Sequence, residues 1–274
     1  MVVDKEFLLT DSEFTHIVDL VYKACGIVLG EHKREMVYSR LARRIRSLKL
    51  DNFEQYLDYL DSNKDKEFSH FINAITTNLT SFFREMHHFE FLKNTLVPEL
   101  IKKNRPTKRV RIWSAGCSTG EEPYSIAMTV ANMFPIGWDV KILATDLDSN
   151  VLAKASNGEY SANSTTGLEA ETLKKWFFKD KQGDNYKVKP ELKKMIHFKR
   201  LNLLQKWPMK GPFDFIFCRN VVIYFDIATK ENLFQNYADI LTPDSYLFLG
   251  HSESMSKEQK RFSGLGKTIY KKIK

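Results

Sequence analysis

The best candidates for chemistry lie between Val110 and Ser125. There an apolar strand, Val110–Ser114, ends in a loop carrying Gly116 and Gly120, and Glu121, Glu122 and Pro123 open a helix. A glycine loop between strand and helix lets the backbone approach a ligand closely, as the cofactor loops of open α/β sheets require. It is not the dinucleotide fingerprint, because Cys117, Ser118 and Thr119 separate the glycines, nor a phosphate loop, because no lysine follows Gly120. Asp146 closes a second apolar strand, Val140–Thr145, where a carboxylate grips ribose hydroxyls in such folds. Capping the helix from Ser149 is its plainer role, one that Asp148 can fill instead. A third strand, Phe213–Cys218, runs into Arg219 and Asn220 at the expected edge of the same crevice. His87 and His88 invite a metal reading, but no third ligand is read at suitable spacing nearby, and no metal is expected.

These residues need a scaffold, and the hydrophobic pattern supplies one. After Pro106, strands at Val110–Ser114, Val140–Thr145, Ile196–Leu201, Phe213–Cys218 and Tyr246–Gly250 alternate with helices at about Glu121–Met133, Ser149–Asn157 and Ile227–Leu241. This alternation predicts an α/β domain with a doubly wound, mostly parallel, Rossmann-like sheet. Roughly fifty residues separate the second and third strands, more than a βα unit needs. An insertion at about 160–195 is therefore expected, with Lys175–Phe178 and Tyr186–Val188 as short antiparallel strands joined across Gly183 and Asp184. Upstream, the chain from Asp11 to about Asn78 reads as helical. Thr10 or Asp11 caps the first helix, a basic helix follows, Asp51 caps a third near Phe53, and a fourth from about Asp65 carries Phe68, Phe71, Ile72 and Ile75. A polar stretch then leads to a helix from about Glu85 to Lys103. The expected organisation is an all-α N-terminal domain at 1–77, a linker and helix at 78–105, and the α/β domain at 106–274.

Composition narrows the class of protein. With 43% hydrophobic and 28% charged residues, the chain is an ordinary folded protein and not a disordered one. Cys25, Cys117 and Cys218 are odd in number and far apart, which excludes a disulfide framework and a zinc ribbon and fits a reducing cytosol. No signal peptide or membrane span is expected. Lys+Arg 42 against Asp+Glu 34 leaves +8, a balance that favours an acidic partner. The densest basic run lies on the second helix, where Arg40, Arg43, Arg44 and Ser47 are expected to share one exposed face.

The strand-end glycines, Asp146 and Arg219-Asn220 together fit an S-adenosylmethionine-dependent methyltransferase better than a dehydrogenase. Base methylation is disfavoured, because the fourth strand runs into Cys218-Arg219-Asn220-Val221 and not an Asn-Pro-Pro-aromatic signature. Longer blocks carry a more specific likeness. Asn78-Leu79-Thr80-Ser81-Phe82-Phe83-Arg84-Glu85 with His87-His88-Phe89, the run from Trp113 to Ser125, Phe217-Cys218-Arg219-Asn220-Val221, Ile223-Tyr224-Phe225-Asp226 and Gly250-His251-Ser252-Glu253-Ser254 resemble, in order, the CheR family of chemotaxis receptor methyltransferases.

The resemblance implies methyl transfer from S-adenosylmethionine, leaving S-adenosylhomocysteine, to glutamate side chains on the cytoplasmic helical bundle of bacterial chemoreceptors, giving methyl esters in sensory adaptation. It implies that Asn78, Thr80 and Arg84 approach the methionine end of the cofactor, with Arg84 on its carboxylate. Glu122 would lie beside the loop of Gly116, Asp146 would hold the ribose, Asn202 and Leu203 would line the adenine pocket, and Arg219 and Asn220 would complete the methionyl side. Plainer roles exist: Asn78 and Thr80 as helix caps, and Arg84 paired with Glu85. Arg40, Arg43, Arg44 and Arg46 become candidates for steering an acidic receptor bundle. Strand-addition tethering of a receptor peptide is not expected, because the loop from Lys179 to Asn185 is short. Other partner expectations are no nucleic acid, no membrane insertion, a monomer by default, and a cytoplasmic place beside receptor arrays. Two rival classes are a catalytically silent cofactor-binding adaptor and an RNA methyltransferase, the latter supported only by charge.

A glutamate side chain, with a reference pKa of about 4.3, is already ionised at neutral pH and needs no general base. Positioning must then dominate, and Arg84 and Tyr224 are the candidates for orienting the substrate carboxylate. Tyr224→Phe is expected to lower turnover while leaving cofactor affinity nearly intact; steady-state kinetics beside calorimetric titration checks this, and unchanged turnover removes Tyr224 from the mechanism.

Overall fold

Thr10, not Asp11, starts the first helix, α1 (Asp11–Cys25), through a capping box. Its hydroxyl accepts from the Glu13 N–H at 3.2 Å, and the Glu13 carboxylate accepts from the Thr10 N–H at 2.7 Å. Gly26, in the left-handed conformation, ends it. The computed structural model describes residues 5–182 and 184–274. Residues up to Thr77 form one unit together with Tyr224–Thr229, and Asn78–Ile223 with Lys230–Lys274 form the other.

In the helical unit α1 is followed by α2 (Arg34–Leu48), α3 (Phe53–Ser62) and α4 (Lys64–Ile75). Ile17, Val21, Val37, Leu41, Ile45 and Phe71 are wholly buried, the apolar stripes that helical spacing predicts. The cap of α3 is Asn52, not Asp51: the Asn52 Oδ1 accepts from the Gln55 N–H at 2.8 Å, while Asp51 accepts from the Gln55 side chain.

The expected basic face of α2 is corrected. Arg40 is half-buried, and its Nη1 donates to the carbonyls of Ile75 at 2.6 Å and Thr76 at 2.7 Å, at the carbonyl end of α4 where a cation is favoured. Arg44 forks onto Glu67, with Nε donating to Oε1 at 2.6 Å and Nη2 to Oε2 at 2.5 Å. Glu67 is itself buried and also accepts from the Tyr56 hydroxyl at 3.2 Å. Of the four arginines, Arg43 and Arg46 are exposed, Arg46 Nε lying 3.1 Å from the exposed Glu6 carboxylate.

In the other unit, α5 (His87–Phe91) passes through a π-helical turn, Leu92–Leu96, into α6 (Val97–Lys103). There follow β1 (Arg109–Ala115), α7 (Glu121–Val130), β2 (Asp139–Asp146), α8 (Ser149–Asn157), β3 (Glu159–Ser161), α9 (Ala170–Trp176), β4 (Phe177–Lys179), β5 (Asn185–Val188), α10 (Pro190–Lys193), β6 (Ile196–Arg200), β7 (Phe213–Cys218), α11 (Ile227–Ile240, assigned to this unit from Lys230 on), β8 (Leu241–Leu249), β9 (Phe262–Gly264) and β10 (Ile269–Lys272). The main sheet runs β6-β2-β1-β7-β8-β10-β9, parallel from β6 to β8 and antiparallel beyond. β7 is buried at every position, which suits a strand covered on both faces. Its one acidic residue, Asp214, accepts from the Arg111 N–H at 2.7 Å and the Asn104 side chain at 2.8 Å.

The inserted sheet is three-stranded, ordered β3-β5-β4, one strand more than the sequence pattern shows. Lys175 and Trp176 end α9 and so are not strand residues. Gly183, read as half of the turn between β4 and β5, lies outside the described residues. β8 starts earlier than expected, because a bulge opposite Phe213 and Phe215 and a left-handed Asp244 carry the pairing past Thr242 and Pro243.

Arg44→Ala leaves the Glu67 carboxylate buried without its counter-ion and is expected to cost about 3 kcal/mol. Arg43→Ala should change stability by less than about 0.5 kcal/mol. Urea unfolding of both variants checks the pair, and equal midpoints would deny Arg44 its anchoring role.

Candidate active site

The strand order turns back at one place. β1 leads outward to β2 and β6 on one side, and the chain then crosses to β7 and β8 on the other. The crevice between the carboxyl ends of β1 and β7 is the topological switch point, where open α/β sheets bind ligands. The loop after β1 is cinched onto the end of β2: the N–H groups of Gly116 and Cys117 both donate to the Thr145 carbonyl, at 2.8 and 2.9 Å, and the Ser118 N–H donates to Asp146 Oδ2 at 2.8 Å. Gly116, Ser118 and Gly120 all take positive φ, and a Cβ on Gly116 would stand 2.3 Å from Val221 Cγ2. Glycine is thus required there by conformation and by space.

Asp146 also accepts from the Asp148 N–H at 3.0 Å, and Asp148, not Asp146, caps α8 through the Asn150 N–H at 2.8 Å. The Leu201 N–H donates to the Asp146 carbonyl at 2.9 Å, which brings the segment of Asn202 and Leu203 to the end of β2. Asn202 Oδ1 accepts from the Leu204 N–H at 3.0 Å, and Leu203 is buried. From the other direction, the Asn78 side chain donates to Asp148 Oδ2 at 2.8 Å and its carbonyl accepts from Ser118 Oγ at 2.9 Å. Neither Asn78 nor Thr80 caps α5, whose preceding residue is Met86. Arg84 donates to the Leu79 carbonyl at 2.9 Å and does not pair with Glu85.

Arg219 is the buried cation of the site, 6% exposed. Its Nη1 donates to Glu122 at 3.1 Å, its Nη2 lies 3.3 Å from Glu85 and also donates to the Arg84 carbonyl, and its guanidinium sits over the rings of Phe89 and Phe217. Glu122 accepts a second bond from Ser114 Oγ at 2.7 Å. Arg84, Glu122, Asp146, Asn202, Leu203, Arg219 and Asn220 all belong to one unit. Tyr224 belongs to the helical unit, where its carbonyl accepts from the Val28 N–H at 2.8 Å.

The chain matches two family models, described as the CheR methyltransferase SAM-binding domain over residues 78–271 and the CheR methyltransferase all-alpha domain over residues 12–76. It belongs to the CheR methyltransferase family. It is 44% identical to the chemotaxis protein methyltransferases of Salmonella typhimurium and Escherichia coli over 269 residues, covering 96% of this chain and 90% and 91% of those proteins. A further relative, chemotaxis protein methyltransferase 2 of Pseudomonas aeruginosa, is 40% identical over 97% of this chain and 95% of its own length. This CheR protein is accordingly an S-adenosylmethionine-dependent methyltransferase of chemotaxis.

The crevice fits that cofactor. Asp146 offers carboxylate oxygens at the end of β2, and the buried Arg219 Nε has no hydrogen-bond partner among the described residues. Burial raises the pKa of Asp146, against the opposing N–H bonds from Asp148 and Ser118. Burial likewise raises Glu122, against the charge of Arg219.

Two carboxylates of this CheR fold were not picked out by the residue-level reading. Glu85 accepts from the His251 N–H at 3.1 Å and meets His251 Nδ1 at 3.0 Å, tying the segment before α5 to the loop after β8. Glu253 accepts four backbone N–H bonds. Each sits in a block quoted for the family resemblance, and an acidic residue just before or after a buried apolar run was the available signal. Glu85 also overturns the argument that no third ligand accompanies the histidines: ligand atoms of Glu85, His87 and His88 lie within 4.8 Å of one another. They already face protein partners, the carboxylate on Arg219 and His251 and both imidazole Nε2 atoms on the Lys267 carbonyl at 3.2 and 2.9 Å.

Burial and the charge of Arg219 hold His88 at about 4, against its bond to Lys267. Burial raises Glu85, but Arg219 and the His251 bonds outweigh it and hold it at about 2. Both shifts act in one direction. The unfolded chain takes up the His88 proton first, so that contribution is whole above about pH 6.5 and is lost towards pH 4; the Glu85 contribution is whole above about pH 4.5 and is lost towards pH 2. Stability is expected to fall by on the order of 3 kcal/mol through the His88 window alone. His88→Gln should flatten the dependence of the unfolding free energy between pH 6.5 and 4, and an unaltered slope would assign the loss to other groups.

Proposed function

We propose that this enzyme methylates glutamate side chains on the cytoplasmic helical bundle of chemoreceptors, as an adaptation step of a signalling array. The observation that carries the reading is the intact cluster at the switch point: Arg84, Glu122, Asp146, Arg219 and Asn220 on one unit of a chain that matches chemotaxis methyltransferases nearly end to end. A silent adaptor has no need to keep a buried arginine paired with two carboxylates.

S-adenosylmethionine, when bound, supplies the electrophilic sulfonium methyl. The chain's own residues hold and orient it. Asp146 would accept from the ribose hydroxyls, Asn202 and Leu203 would flank the adenine, and Arg84 with Asn78, Thr80, Arg219 and Asn220 would fix the methionyl end. No side chain has to move a proton, since the attacking carboxylate is already ionised at neutral pH. The protein contributes alignment and exclusion of water while opposite charges neutralise one another. Tyr224, just beyond β7, is proposed to orient the substrate carboxylate.

Docking rests on the exposed guanidinium groups of Arg43 and Arg46, with Arg40 and Arg44 holding the helical unit together. Such charges act on encounter rate more than on final affinity. A monomer working in the cytoplasm beside receptor arrays fits this reading, and among the described residues no helix is long and apolar enough to cross a membrane.

Incubation with methyl-labelled S-adenosylmethionine and membranes bearing chemoreceptors of the same organism is expected to give base-labile label, released as methanol. Label on receptor glutamates supports reaction and partner together. Cofactor binding without receptor label would retain the methyltransferase and remove the receptor substrate.

A further inference from the structure

We infer that Glu253 is a positioning residue for methyl transfer, whose carboxylate holds the Arg219–Val221 turn in the conformation that delivers Arg219 and Asn220 to the crevice. This rests on the reading of Arg219 and Asn220 as cofactor-site residues.

Glu253 is 4% exposed, and no cationic side chain is paired with it among the described residues. Backbone amides surround it instead. Oε2 accepts from the N–H groups of Asn220 at 2.8 Å and Gly250 at 2.5 Å; Oε1 accepts from those of Val221 at 2.8 Å and Ile223 at 3.2 Å. Three of these amides belong to the turn after β7 and one to the turn after β8. β7 and β8 are parallel neighbours, so their outgoing loops lie side by side and aim several N–H groups into one concavity. A chain-supplied anion fills it, and bonds to an ionised acceptor are the stronger kind.

The turn needs such a clamp. Asn220 sits at φ +59, a left-handed conformation that is uncommon for residues with a Cβ and that asparagine adopts more readily than most. Gly250 shows how closely the loops approach: a Cβ there would stand 2.4 Å from Asn220 Nδ2 and 2.8 Å from Asn220 N. The Glu253 N–H closes its own turn onto the Gly250 carbonyl at 2.9 Å, which aims the side chain back under Asn220. Arg219, the next residue towards β7, reaches Glu122 and Glu85 from this anchored backbone. The chain of dependence therefore runs from Glu253 to the Asn220 backbone and on to the Arg219 side chain.

Glu253→Gln keeps size and shape but turns one acceptor oxygen into a donor facing backbone donors. In the full-length protein it is expected to weaken S-adenosylmethionine binding by about tenfold or more in calorimetric titration, with the receptor KM held within about twofold. A merely structural role would lower the unfolding temperature and leave the cofactor affinity of the folded protein unchanged, and that result overturns the inference. Arg219→Ala, titrated alongside, separates the two levels. If it binds the cofactor as the parent does, the reading of Arg219 itself fails; if it is impaired and Glu253→Gln is not, the Glu253 inference falls alone. Should Glu253→Gln fail to fold, hydrogen exchange on the unaltered protein decides. The amides of Asn220, Val221, Ile223 and Gly250 should all be protected, and free exchange at Asn220 would refute the clamp.

Discussion

A guanidinium buried among aromatic rings is the constraint around which the methyltransferase unit is arranged. Arg219 cannot be neutralised, and taking its charge out of water costs several kcal/mol unless partners are supplied. Glu122 comes from the first turn of α7, Glu85 from the segment before α5, and the Phe89 and Phe217 faces add cation–π attraction. Three stretches far apart in sequence are thereby obliged to meet at the carboxyl ends of β1 and β7. The same requirement places charge and hydrogen-bonding capacity where the strand order reverses.

Carboxylates do most of the joining. Asp146 secures the glycine loop to the end of β2, Glu85 links the α5 segment to His251, and Glu253 gathers the turns after β7 and β8. Each accepts backbone N–H groups from loops that follow strand ends, so carboxylates help to set the geometry of these loops. Backbone in left-handed conformations recurs at these junctions, at Gly116, Ser118, Gly120 and Asn220. Glycine adopts that backbone freely, while at Ser118 and Asn220 the bonds around the junction offset a conformational cost.

In the helical unit the same types of charge have a different use. Arg40 and Arg44 satisfy the end of α4 and the buried Glu67, while Arg43 keeps its charge in solvent. A one-residue step on a helix rotates the side chain by about 100°, which is why neighbours such as Arg43 and Arg44 divide between steering and structure.

Period and punctuation determined much of this protein from the sequence alone. Strand and helix patterns after Pro106 required a doubly wound sheet, and the glycine loop, Asp146 and Arg219-Asn220 stood out because each follows or closes an apolar strand, as it does in the fold. Three-dimensional packing decided the rest. Whether Arg40 or Arg43 faces water depends on where α4 ends, not on α2 itself; whether Asp146 or Asp148 caps α8 depends on which carboxylate the Ser118 amide meets. Glu85 and Glu253 took on their roles only when distant loops converged, because a carboxylate's partners here are backbone amides, which every residue but proline carries and which leave no mark in the sequence.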